Sequence, residues 1–171
     1  KAAFLAENKQ QSIIRLGAAM MLADIAILKA DTAGWQRAID AMESAASSAN
    51  RNTSLVRTVL DTAHGSLLVE LGTQTRIADW LKNRDFPNHM LPPMILNALY
   101  VYLIFLLHQG NFTQFIGMLE AWLPEAESRS AYAIFSSSIL LASGYASAGE
   151  REKAAGFLER AAEKGLPDGF L

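Results

Sequence analysis

The 171-residue chain contains no cysteine, so it has no disulfide framework, no thiol nucleophile and no cysteine-ligated metal. It also lacks a block of like charges. With 15 Lys and Arg against 17 Asp and Glu, scattered along the sequence, nothing forms the basic face that a phosphate backbone demands. Direct binding of nucleic acid by this segment is not expected. Three histidines, His64, His89 and His108, occur without HExxH or paired-ligand spacing, and read as surface or satisfied helix residues. No GxxxxGK[ST] loop is present to cradle a nucleotide, and no metal or cofactor is expected. The apolar run MILNALYVYLIFLL at 94–107 follows Pro92 and Pro93 and stops at His108. It is shorter than the roughly 20 residues that span a bilayer, so it reads as a helix covered by neighbours. The absence of a signal peptide and of cysteine fits the cytoplasm, and an opening on Lys1 rather than Met suggests a segment of a longer protein.

What the chain does have is apolar content, 51% of residues, with only 5 Pro and 11 Gly. That composition folds. Four of the glycines, Gly34, Gly72, Gly110 and Gly149, stand 38, 38 and 39 residues apart. Five positions beyond them are Ile39, Ile77, Phe115 and Ala154; eight beyond are Met42, Trp80, Met118 and Phe157. This spacing is one face of a helix. Seven positions before them stand Ile27, Gly65, Leu103 and Ala142, inside another helical stretch. The repeated unit is helix, glycine turn, helix. Such a pair cannot bury its apolar face alone and stacks on its neighbours.

The expectation is an all-α chain of about four antiparallel helix pairs, as units near 10–48, 53–87, 92–124 and 127–166. The predicted helices run about 10–30, 33–48, 54–71, 73–84, 93–109, 111–123, 127–148 and 150–164, with SSANRNTS, the segment after Asp85 and Pro124 as breaks. Nothing alternates with period two, so no sheet is expected. Trp35, Trp80 and Trp122 recur in second helices and read as packing between units. Trp80, Met118 and Phe157 are expected to be buried.

In the last unit Leu141, Ala142, Tyr145, Gly149, Ala154, Leu158 and Ala161 follow the order of the tetratricopeptide pattern, although the period exceeds its usual 34 residues. The chain therefore resembles a tetratricopeptide-like α-solenoid. A second likeness covers more of it. ADTAGWQRAIDAMESA at 30–45, LGTQTRIADWLKNRDFP at 71–87 and ASAGEREKAAGFLERAAEKGLPDGF at 146–170 resemble the helical-repeat region of MalT-like LuxR-family transcriptional regulators. That resemblance implies a sensing or coupling segment lying between an NTPase module and a helix-turn-helix, neither of which is in this sequence. DNA would be reached through the helix-turn-helix domain.

No reaction is specified. Ser136, Ser137, Ser138 and Ser143 have no GxSxG elbow around them, and Glu150, Glu152, Glu159 and Glu163 read as a solvated helix face. The chain is not expected to be an enzyme. Two functions remain: a sensor segment taking a small-molecule or peptide effector or a regulatory protein, and a free-standing adaptor for protein partners. The terminal PDGFL without a polar capping helix favours the first. In tetratricopeptide-like superhelices the first helix of each pair lines the groove, which selects Thr62, Ser66, Glu70, Asn97, Tyr100, His108, Ser136 and Ser143 as candidate effector contacts. Asn97 interrupts an apolar run. It meets another side chain, bonds backbone, or faces a wet groove that a ligand can enter.

Overall fold

The computed structural model describes residues 12–48, 53–167 and 169. The expected helix start near residue 10, the turn at 49–52, and Asp168, Phe170 and Leu171 lie outside the described residues. Eight helices occur among those described, without a strand: α1 (Ser12–Leu28), α2 (Thr32–Ser47), α3 (Thr53–Glu70), α4 (Asp79–Lys82), α5 (Pro92–His108), α6 (Phe112–Arg129), α7 (Ala131–Ser147) and α8 (Arg151–Gly165). The chain divides into two compact units, residues 1–105 and 106–171.

One turn geometry closes α1, α3, α5 and α7, and it recurs after α4, where Asp85 N–H donates to Trp80 O at 2.8 Å behind the left-handed Arg84. The N–H groups of Asp31, Thr73, Asn111 and Glu150 each donate to the carbonyl five residues back, on Ala26, Leu68, Leu106 and Tyr145, all at 2.9 Å. This six-to-one bond closes a helix through a residue in the left-handed region. The left-handed residues are Ala30 (φ 51°), Gly72 (φ 68°), Gly110 (φ 73°) and Gly149 (φ 84°). Three of the four periodic glycines therefore sit at the turn. The fourth does not. Gly34 lies in the first turn of α2, where its N–H donates to Asp31 Oδ1 at 2.8 Å, and Ala30 takes the turn position. The glycine register is thus displaced by four residues in the first pair. Four residues advance a helix by about 400°, so an apolar face survives the displacement almost unchanged.

In the first unit, alanines at helical spacing let α1 and α2 approach closely without loss of side-chain entropy. Leu16, Ala19 and Ala23 of α1, Ala38, Met42 and Ala45 of α2, and Val56, Leu60, Ala63 and Leu67 of α3 form one buried cluster. A second cluster joins Val69 of α3, Ile77, Leu81 of α4, Met90, and Ala98 and Val101 of α5. Gly65 is buried where a Cβ would stand 3.0 Å from both Leu81 Cδ1 and Val101 Cγ1.

The expected helix 73–84 is only the single turn α4. Thr73, Gln74 and Thr75 offer polar and β-branched residues where a helix would start, and Ala78 at the N-cap makes no side-chain cap bond. Arg84, at φ 61°, then closes the turn.

In the second unit α6 runs through Pro124 to Arg129, rather than ending at 123. Proline removes one bond from the helix ladder. Burial of Leu119 and Ala126 on either side, the Glu125–Arg129 ion pair at 2.9 Å, and Arg129 set 5.1 Å over the Trp122 ring hold the remaining turn. The break falls instead at Ser130, an extended residue whose Oγ accepts from Ala133 N at 3.1 Å and caps α7. Tyr145 of α7 stacks on Phe157 of α8, centroids 5.6 Å apart. Trp80, Met118 and Phe157, expected to be buried, are each only half-buried, while Met42 at the same register is fully covered.

Candidate functional site

On α3, Val59, Thr62, Ala63 and Ser66 fall at helical spacing on one face; on α5, Met94 and Asn97 are one turn apart. With Met20 of α1 they line a pocket of about 80 Å³ in the first unit. The pocket is apolar with a few polar groups. Thr62 and Ser66 are buried, and the Thr62 hydroxyl donates to Thr58 O at 2.8 Å, leaving its oxygen as an acceptor. The Asn97 carboxamide is exposed and offers both donors and an acceptor.

Three of the eight sequence-predicted contacts, Thr62, Ser66 and Asn97, thus meet in one pocket. The others lie outside it. Glu70 is exposed at the end of α3, its carboxyl held above the ordinary carboxylate range by partial burial and then by the negative charge of Asp24. Tyr100 is exposed on α5, and His108 ends that helix in solvent. Ser136 and Ser143 stand on α7 in the second unit, where their hydroxyls donate to Ala133 O at 3.2 Å and Ile139 O at 3.0 Å. Met20 and Met94 escaped the sequence reading. Met94 shares Asn97's helix face and could have been found by spacing, but Met20 depends on how α1 meets α3.

Polar ties surround the pocket's helices. Thr58 Oγ1 lies 3.0 Å from His89 Nε2, and Trp80 Nε1 donates to Asp61 Oδ2 at 3.1 Å, while Arg57 Nε donates to Asp61 Oδ1 at 3.0 Å. His64 sits beside them with Nδ1 3.9 Å from Glu43 Oε1, and its Nε2 is buried without a hydrogen-bond partner. Burial pulls its pKa below the ordinary value, against the opposing pull of Glu43 and Asp61. In the second unit Tyr145 donates a hydrogen bond to Glu120, which with burial raises the phenol to about 12. Among the described residues no group of three or more His, Asp or Glu could hold a metal ion, and no helix is long and apolar enough to cross a membrane.

No family model, curated protein or solved structure matches the chain. The class defined on these observations is an all-helical chain with one helix turn repeated at the ends of α1, α3, α5 and α7, and a small, mainly apolar pocket on the first helices of its first unit.

Proposed function

We propose that the chain is a ligand-binding helical-repeat module, a tetratricopeptide-like α-solenoid of stacked pairs, serving as the sensing and coupling segment of a LuxR-type transcriptional regulator. The observation that carries the binding role is the convergence of Thr62, Ser66 and Asn97 on a pocket walled by Met20, Val59, Ala63 and Met94. The recurrent turn supports the repeat reading. The regulatory role rests on the resemblance of residues 30–45, 71–87 and 146–170.

Pocket size narrows the ligand. At about 80 Å³ the cavity holds one small aliphatic group, far less than the roughly 300–1,000 Å³ of a drug-sized site. The Asn97 carboxamide at its edge suits a peptide amide. A peptide inserting one aliphatic side chain therefore fits better than a bulky metabolite, and the same chemistry serves the alternative of an adaptor for protein partners. Thermal-shift screening of short peptides and small metabolites against the wild-type chain and Asn97→Ala tests the pocket. A ligand at a hundred times its Kd adds about 2.7 kcal/mol, roughly 5–10 °C in Tm for a chain of this size. Hits that stabilise both forms equally refute the assignment.

A further inference from the structure

The pocket contains one hydroxyl that nothing in the protein satisfies. Ser66 is 7% exposed, yet among the described residues its Oγ neither donates nor accepts a hydrogen bond, unlike Thr62 Oγ1 one turn before it. A buried hydroxyl without a partner is costly, and one that opens into a cavity is satisfied by what enters.

The next turn of the same two helices is acidic. Met20 and Ser66 line the pocket from α1 and α3, and four residues further along each helix, on the same face, stand Asp24 and Glu70. Helical Cα–Cβ bonds tilt toward the helix N-terminus, which inclines both side chains back toward the cavity. Asp24 is half-buried, and its charge reaches Glu70, whose carboxyl is held up by partial burial first and by Asp24 second. No basic side chain is among the groups that act on Glu70. None of the ion pairs among the described residues includes either carboxylate. The two acids repel each other, and a cation settling between them gains from both.

We infer that the site takes an aliphatic primary ammonium, its alkyl group between Met20 and Met94 and its three N–H donors directed to Glu70, Asp24 and the free Ser66 Oγ. This rests on the pocket reading and adds the charge of the ligand and the place of that charge. One helical turn, about 5.4 Å, separates the acids from the cavity. The ammonium of a peptide N-terminus stands about that far from the end of a short branched first side chain, and its first amide then falls near the exposed Asn97 carboxamide. A free branched amine shares the chemistry without the amide.

Isothermal titration calorimetry on the full chain tests it, with the tripeptide amide Leu-Gly-Gly, its N-acetyl form and isopentylamine as probes. The free tripeptide should bind, and N-acetylation should weaken it about tenfold or more, the loss of one charge-assisted hydrogen bond. Glu70→Gln keeps the side-chain size at an exposed position and should weaken the free tripeptide by a similar factor without changing the acetyl form. Asp24→Asn repeats the test should the first variant lose its helical circular dichroism spectrum. Isopentylamine binding as well as the tripeptide assigns the site to a free amine, and weaker binding assigns it to a peptide N-terminus; both sustain the ammonium. Free and acetyl forms that bind equally, with binding lost in Asn97→Ala, overturn the ammonium and leave the pocket standing. A free tripeptide that fails to bind at millimolar concentration overturns it as well, while a neutral ligand whose binding is lost in Asn97→Ala would still uphold the pocket.

Discussion

Adding the same methyl group at two helical glycines should change stability in opposite directions. Gly144 of α7 faces α6, and a Cβ there would stand 2.6 and 2.7 Å from two ring carbons of Phe115 and 3.1 Å from Ile116 Cγ1. Phe115 is completely buried, so its ring has nowhere to retreat. Alanine gains about 1 kcal/mol of helix propensity over glycine. Overpacking a tight core costs about 1–3 kcal/mol, and two contacts inside 3.0 Å against an immobile ring belong at the upper end. Gly144→Ala should therefore lose about 1–2 kcal/mol net. Gly156 of α8 is exposed, with nothing within 4 Å of a Cβ, so Gly156→Ala should keep the whole gain of about 1 kcal/mol. In urea, with m near 2 kcal/mol/M, the first midpoint should fall by about 0.5–1 M and the second rise by about 0.5 M. A Gly144→Ala midpoint that rises as far as that of Gly156→Ala would refute the close approach of α6 and α7.

Ala30 holds φ 51°, a conformation that costs a side-chain-bearing residue about 1–2 kcal/mol, so Ala30→Gly should stabilise by about 1 kcal/mol in the same urea experiment. Asp61→Ala removes the acceptor of both Trp80 Nε1 and Arg57 Nε and should cost about 1.5–3 kcal/mol, with a changed Trp fluorescence maximum. His64 has a folded pKa below its unfolded value, so the unfolded state takes up the proton first. Stability should be full above pH ~6.5 and decline as pH falls below it, and His64→Leu should flatten that limb of a Tm-against-pH curve. Tyr145 is raised to about 12, so its contribution is complete below the ordinary phenol pKa near 10 and is lost as pH rises through 12. Its phenolate absorbance should appear only at that upper pH, and Glu120→Gln should bring it lower.

The all-helical class and six of the eight helices were legible from their apolar periodicity, with a capping residue agreeing at α2, where Asp31 accepts from Gly34 N. The misreadings have local causes. Gly34 lies one helical turn from the position it was assigned, and the alanine that replaces glycine at the turn carries no sequence signal for φ 51°. Pro124 reads as a stop, yet buried Leu119 and Ala126 outweigh one lost bond. In the pocket, Thr62, Ser66 and Asn97 followed from helix spacing, whereas Ser136 and Ser143 shared the column but stand on α7 in the second unit. Their hydroxyls bond their own backbone as that of Thr62 does, so a column of polar residues does not show which of them faces a cavity.

The joint at Ser130 has a consequence for how the second unit can change length. One extended residue, φ −167° and ψ 157°, carries the chain from α6 into α7, and the same residue both donates to Ala126 O and caps the next helix. There is no slack. An inserted residue within the first turn of α7 would turn everything after it by about 100° and carry Gly144 away from Phe115. Residues 83–91, between α4 and α5, contain no helix; Phe86 and Met90 are held by packing and His89 by Thr58, which leaves the exposed Asn88 as the place for extra length. An insertion should therefore be better tolerated beside Asn88 than between Arg129 and Ala133, where the spacing across Ser130 is fixed.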